Sequence, residues 1–286
     1  MDVAKEWEIL QIDKLEKRIY RRIADVELRL LVMEPKEPAD SPRPCLVFIH
    51  GGGFTGGKPE MLLPQCRYFT RLGYVCVSVE YRLIQMEGEF PTGDSIKLED
   101  CIVDCKEAVR YVRSHAHQWN VDANRIGLIG ESAGGYLACA VTTLIHIEDT
   151  TTSPSVSCVP NVLVAYNPIT HLLCGWKARL HYNFIGEDSA EGWLMKHQQA
   201  RNLSPLVYLS AEHPPTLNIH GLMDSVVPPE HSAEYAERLR ELGVTVRLEL
   251  LPASKHAFAL FNYTATEDEI ARTLNITREF LSSILL

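Results

Sequence analysis

The chain has 286 residues, with 28 Lys+Arg against 37 Asp+Glu and a formal charge of −9. At 46% hydrophobic and 23% charged residues it has an ordinary globular composition, which excludes disordered and fibrous classes. The acidic balance speaks against nucleic acid as a partner, because phosphate binding needs clustered Lys and Arg, and no apolar run reaches the length of a transmembrane helix. Residues 1–8 lack the basic start and apolar stretch of a signal peptide. The eight cysteines, among them Cys76 in Val75-Cys76-Val77 and Cys101 and Cys105 one helical turn apart, read as small buried hydrophobes. Reduced thiols and a cytoplasmic setting are the expectation.

Along the chain, Val26, Leu28, Leu30 and Val32 alternate with Glu27, Arg29 and Leu31, the period of a half-buried strand near a sheet edge. Four prolines make residues 34–44 a loop. Residues 45–49 are a short apolar run of the kind buried on both faces of a parallel sheet, and it ends in His50-Gly51-Gly52-Gly53-Phe54. A second run, at 75–79, precedes a helix whose apolar face is Leu98, Ile102, Cys105, Val109 and Val112. A third, at 126–129, feeds Gly130-Glu131-Ser132-Ala133-Gly134-Gly135 and then an uncharged stretch at 136–145 that predicts a buried helix.

Further strands are predicted at 162–166, 216–220 and, by alternation, 244–250; a helix runs from about 229 to 242 and stops at Gly243. Thr266 and Glu269 form a capping box that opens the last helix. Strand and helix alternate from about residue 45 onward, which predicts an α/β fold with a mostly parallel central sheet and helices on both faces. The chain reads as a single domain, 1–286, with N-terminal edge strands within 1–40. Residues 171–212 show no strand period and carry Trp176, Tyr182, Phe184 and Trp193, so they read as a small cap or pocket-lining insertion.

Gly130-x-Ser132-x-Gly134 is short, but it follows a buried strand and opens a buried helix. In that setting a sharp turn pushes a serine Oγ out over the sheet edge, and the flanking glycines avoid Cβ clashes. The glycine run after His50 can turn N–H groups of Gly52 and Gly53 toward a ligand, and the N–H of Ala133 can join them. A phosphate cradle is disfavoured, because the run lacks the ending of a P-loop and the spacing of a dinucleotide fingerprint.

A serine needs a base, and the base an orienting acid. Asp224, just after the strand at 216–220, and His256, just after the strand at 244–250, have the required chain order. Among competitors, His231 lies in the first turn of a helix and reads as a surface residue. His115 and His117 read as a solvated helix end rather than metal ligands, and Glu187 and Asp188 fall in the unpatterned segment. No metal or cofactor is called for.

With these residues assembled, the chain resembles the α/β-hydrolase fold serine esterases, especially the hormone-sensitive-lipase-like group and bacterial acetyl and feruloyl esterases. The motifs that carry the likeness are HGGGF at 50–54, GESAGG at 130–135, HGLMDSVVPP at 220–229 and KHAF at 255–258, with Tyr81-Arg82-Leu83 and Ser204-Pro205 also in keeping. The resemblance implies Ser132, Asp224 and His256 as a catalytic triad and Gly52, Gly53 and Ala133 as an oxyanion hole. It implies a carboxylesterase that acts on a small-molecule ester through an acyl-serine, with short acyl chains and with acetylated or feruloylated sugars as alcohol partners. Glu131 departs from the lipase-like pattern, where Asp is more frequent, and the short N-terminus leaves little chain for a large helical cap; both favour a small, open site. Rival readings are an amidase or peptidase, an arylformamidase, or a non-catalytic small-molecule receptor on the same fold, though such receptors typically lose the histidine that His256 supplies. Monomer and homodimer both remain open.

Overall fold

The computed structural model describes residues 15–87, 90–91, 96–149, 155–172, 198–261 and 263–286. Its centre is an eight-stranded sheet built from β1 (Leu15–Ile23), β2 (Val26–Met33), β3 (Arg43–Ile49), β4 (Val75–Val79), β7 (Val121–Glu131), β8 (Val162–Tyr166), β9 (Thr216–Gly221) and β10 (Val246–Leu251). Two short strands, β5 (Met86–Glu87) and β6 (Phe90–Pro91), form a separate hairpin. The spatial order is β1-β2-β4-β3-β7-β8-β9-β10. β1 and β2 pair antiparallel and β2 runs antiparallel to β4, whereas every pairing from β4 to β10 is parallel.

Successive residues of each central strand point to opposite faces, so a strand covered on both sides is largely apolar and any polar residue in it needs a buried partner. Val47 and Ile49 join one core with α2 (Leu98–Ser114) and α3 (Ala133–Thr143), which lie on the same face as α4 (Glu230–Glu241). Leu46 and Phe48 join the other core with α1 (Leu63–Thr70) and α5 (Glu267–Leu285). The capping box predicted for α5 is formed: Thr266 Oγ1 accepts the Glu269 N–H and Glu269 Oε2 accepts the Thr266 N–H.

Local differences from expectation have physical reasons. β3 begins at Arg43 and takes in Pro44, because pairing with Val121 of β7 starts there, ahead of a register shift between Arg43 and Cys45. The helix at 136–145 begins earlier, at Ala133, and ends at Thr143, leaving Ile145 exposed. Within 171–212, residues 173–197 lie outside the described residues, and with them Trp176, Tyr182, Phe184, Glu187, Asp188 and Trp193.

The strand order places the site. From β3 the chain moves to β4 on one side, then returns past β3 to β7 on the other, so the loops after β3 and β7 part and leave a crevice at the C-terminal ends of the strands. The loops after β8, β9 and β10 open on that same edge, because all these strands run in one direction.

Candidate active site

β7 delivers Ser132 at its end, and α3 starts one residue later. Ser132 has φ 55 and ψ −118, a backbone region that costs a non-glycine residue about 1–3 kcal/mol. The turn is held by the Ser132 N–H, which donates to the Tyr166 carbonyl at 3.0 Å, and by the Tyr136 N–H, which donates to the Ser132 carbonyl at 3.0 Å. Glycine is needed beside it: a Cβ on Gly130 would stand 2.1 Å from the Gly134 carbonyl oxygen, and one on Gly134 would stand 2.1 Å from that of Ile49. The turn therefore presses directly against the end of β3.

Ser132, Asp224 and His256, far apart in sequence, come together in one hydrogen-bonded row. Ser132 Oγ lies 2.8 Å from His256 Nε2, and His256 Nδ1 lies 2.7 Å from Asp224 Oδ2. With Nδ1–H given to the carboxylate, Nε2 is left to accept the serine hydroxyl. Asp224 is itself fixed by its loop: Oδ1 accepts the N–H groups of Val226 at 2.8 Å and Val227 at 2.9 Å. Burial works against its charge, but hydrogen bonds from His220, His256 and the Val227 N–H outweigh it and hold its pKa well below the usual carboxylate range.

His220 was not anticipated by sequence reasoning. Its Nε2 donates to the Val227 carbonyl at 3.0 Å and lies 3.3 Å from Asp224 Oδ2, while Nδ1 accepts the Ser232 hydroxyl at 2.7 Å. It braces the acid loop against α4. The signal was available in retrospect, since His220 is the penultimate residue of a fully buried strand and so requires polar partners.

Gly52 (φ 121) and Gly53 (φ 62) both take positive φ, and the loop closes on itself where the Gly56 N–H donates to the Gly52 carbonyl at 2.9 Å. Among the described residues, the N–H groups of Gly52, Gly53 and Ala133 carry no hydrogen bond, so the three predicted donors remain available to an incoming oxygen. Behind the loop, His50 Nδ1 donates to the Gly51 carbonyl at 2.8 Å, and its ring stacks on Tyr81 at 4.4 Å. Burial pulls the His50 pKa down to about 4, so the ring stays neutral at ordinary pH. The Tyr81 hydroxyl donates to the His50 carbonyl at 2.9 Å. Arg82 chelates the fully buried Asp104 of α2, with Nε at 2.7 Å and Nη2 at 3.0 Å. Ser204 accepts the Leu172 N–H at 2.8 Å and donates to the Ala200 carbonyl at 2.6 Å, tying down the loop after β8.

His231 corrects an expectation: it is buried, at 3% exposure, rather than on the surface. Its ring stacks on His171 at 4.3 Å and Nδ1 accepts the Thr170 N–H at 3.2 Å, because the loop after β8 folds over the first turn of α4. Burial, then the neighbouring His171 and His220, lower its pKa to about 3. His115 bonds the Tyr111 carbonyl at the end of α2, and no group of metal-ligating side chains occurs among the described residues.

Two further polar side chains surround the row, Glu131 and Asn167. Glu131 is 2% exposed, and burial pushes its carboxyl pKa up. Asn167, in the loop after β8, donates through Nδ2 to Glu131 Oε1 at 3.1 Å. The sequence held one weak sign of Asn167: an Asn-Pro pair directly after a buried strand, on the edge where the other site residues sit.

Residues 31–239 match the BD-FAE family. The chain belongs to the BD-FAE family. Among curated proteins, this BD-FAE chain is similar to a probable carboxylic ester hydrolase, LipM, of Mycobacterium tuberculosis, at 25% identity over 84% of this chain and 54% of that one. It is similar also to an acetylxylan esterase of Xylanibacter ruminicola, at 21% identity over 87% and 48%. It thus spans about half the length of these relatives. Among solved structures it is similar to esterase 2 of the planctomycete Thermogutta terrifontis, with a TM-score of 0.80, 28% identity and coverage of 94% and 92%. That enzyme is also known in propionate-bound and butyrate-bound forms. The fold is that of the α/β-hydrolase esterases. No described helix is long and apolar enough to cross a membrane.

Proposed function

We propose that the chain hydrolyses carboxylic esters through an acyl-serine intermediate, with Ser132, His256 and Asp224 as the triad and Gly52, Gly53 and Ala133 as the oxyanion hole. The single observation that carries this reading is the row Ser132 Oγ–His256 Nε2–His256 Nδ1–Asp224 Oδ2, at 2.8 and 2.7 Å. In it, Ser132 Oγ attacks the ester carbonyl while its proton passes to His256 Nε2. The carbonyl π electrons move to oxygen, and the N–H groups of Gly52, Gly53 and Ala133 receive the oxyanion. Collapse breaks the bond to the alkoxy group, which leaves as alcohol with the proton from Nε2. Water, deprotonated by the same nitrogen, then releases the acid and restores Ser132.

Short acyl chains are the proposed substrates, supported by the likeness to an esterase that holds propionate and butyrate. Acetylated or feruloylated sugars are the proposed alcohol partners, supported by the family and by the acetylxylan esterase relative. A cytoplasmic setting is proposed on the seven described cysteines, all buried and free.

The test is turnover of p-nitrophenyl acetate, butyrate and octanoate by the wild type, Ser132→Ala and His256→Ala. The expected result is preference for the shorter chains and a fall in kcat of about 10⁴-fold or more for either variant. Faster cleavage of the matching p-nitroanilides would turn the reading toward an amidase. A wild type inert on all of them would refute the hydrolase.

A further inference from the structure

Exposed apolar side chains gather beside the triad. From Gly221 to Pro229 the chain reads Gly-Leu-Met-Asp-Ser-Val-Val-Pro-Pro, and its one charged side chain, Asp224, is buried against His256. In the same loop Leu222 is 46% exposed, Met223 59% and Val226 40%. Elsewhere among the described residues, exposed large hydrophobics stand apart from one another, as do Val26 at the start of β2, Leu72 after α1 and Ile145 after α3. A single exposed apolar residue needs no explanation. Three within five positions, in a chain with 23% charged residues, add little to the core and mark a contact surface.

This loop is locked to the one that carries the base. The Leu222 N–H donates to the Leu251 carbonyl at 2.9 Å and the Met223 N–H to the Ser254 carbonyl at 3.0 Å. Tyr263, 64% exposed, adds an aromatic ring on the chain that leaves His256, where its neighbour Thr264 donates to the His256 carbonyl at 3.0 Å. The chemistry decides which half of an ester meets these loops. The oxyanion of the tetrahedral intermediate is bound by the N–H groups of Gly52, Gly53 and Ala133. Its alkoxy oxygen must lie within reach of His256 Nε2, to take up the proton as the C–O bond breaks. The alcohol half therefore departs along the side where the His256 and Asp224 loops stand, and the acyl half points away from them.

We propose that Leu222, Met223 and Val226, together with Tyr263, form the subsite for the leaving alcohol and select alcohols with an apolar face. This deepens the ester-hydrolase reading and rests on it. Because the side chains are exposed rather than enclosed, they grip one face of the alcohol and set no upper limit on its size. Among acylated sugars the subsite favours those whose neighbouring hydroxyls also carry acyl groups, since each acyl group replaces a hydrated hydroxyl with apolar surface.

The experiment holds the acyl group fixed and varies the alcohol. Methyl, butyl and hexyl butyrate are compared in the full chain, as wild type and as the double variant Leu222→Ser, Met223→Ser. Ile145→Ser, at the opposite end of α3 from Ser132, is the control for loss of an exposed apolar residue. Wild type should favour hexyl over methyl butyrate about thirtyfold in kcat/KM, as expected for several methylenes half removed from water. The double variant should cut that ratio about tenfold, through KM rather than kcat, and Ile145→Ser should keep it. Per ester group, a peracetylated methyl xyloside should outrun the mono-acetylated one in wild type, and the double variant should level the two. A ratio the double variant leaves unchanged overturns the proposal. So does a loss shared equally by all three esters, which would mean that the loop only supports Asp224. A wild-type dimer that the double variant dissolves in sedimentation would give the surface to a second copy of the chain and overturn it as well. Binding of 1-naphthol to Ser132→Ala, followed by its fluorescence, reads the subsite without turnover, so it stands even if the ester reading fails. The double variant should weaken that binding about tenfold, and equal affinity overturns the subsite on its own.

Discussion

Two buried carboxylates flank the Ser132–His256–Asp224 row from different parts of the sheet, and the protein treats them in opposite ways. Asp224, in the loop after β9, gathers the Val226 and Val227 N–H groups and the rings of His256 and His220, and remains ionised far into acid. Glu131, at the end of β7, gathers one amide N–H, and burial drives its pKa upward. Both lie inside the protein, so burial alone does not separate them; the number of donors aimed at each carboxylate does. A loop can turn consecutive N–H groups onto one oxygen, whereas the last residue of a paired strand has its backbone committed to neighbouring strands.

The largest expected effect tests the acid loop. Asp224→Asn should lower kcat about 10⁴-fold on a short ester, because an amide does not hold the Nδ1–H tautomer of His256. The same variant should be less stable at pH 7. A folded-state pKa below the unfolded value of ~3.9 contributes stability at any pH above that value and loses it as pH falls toward the folded value. The difference in Tm from wild type should therefore shrink on acidification below about pH 4.

Glu131→Gln should behave in the opposite sense. Its raised folded-state pKa means that ionisation destabilises the fold, a penalty absent below the unfolded value of ~4.3 and growing as pH rises through the folded value. The variant should melt above wild type at pH 8 and with it at pH 4, as followed by thermal unfolding at the two pH values. If Asp224→Asn and Glu131→Gln shift Tm in the same direction at pH 8, the contrast between the two carboxylates is wrong.

The smallest effect lies away from both. Thr266→Ala removes the side-chain acceptor for the Glu269 N–H and should cost about 1 kcal/mol in urea unfolding, with kcat on p-nitrophenyl butyrate within about twofold of wild type. A large loss of activity there would mean that α5 and the His256 loop are coupled, through the Ser254 hydroxyl that donates to Glu269 Oε1 at 2.8 Å.

Much of the fold was legible because central strands of a parallel sheet have no solvent face, so 45–49 and 162–166 are apolar without interruption and 75–79 is broken only by Ser78, whose hydroxyl donates to the Pro59 carbonyl at 2.7 Å. The chain order of Ser132, Asp224 and His256 was legible because each lies in the turn or loop that follows a strand, β7, β9 and β10 in turn. His231 was misread because position in a first helical turn says nothing about the Thr170 loop that covers it. Glu131 stood out only as a departure from a motif, and Asn167 had no sign beyond the Asn-Pro pair that follows β8. Their interaction spans 36 residues and depends on the register that sets Glu131 beside Tyr166.

The sequence by itself determined the alternation of strand and helix, the glycine-bounded turn that exposes Ser132, and the identities of the groups that could pass a proton. These follow from local rules: burial on both strand faces removes polar residues, and a strained turn removes Cβ atoms. Only the tertiary structure decided that His220 braces the acid, that among the described residues the N–H groups of Gly52, Gly53 and Ala133 are left without hydrogen-bond partners, and that Asn167 lies beside both Glu131 and His256. Those relations are distances between strands that are neighbours in the sheet but not in the chain, and a pKa depends on such distances rather than on residue type.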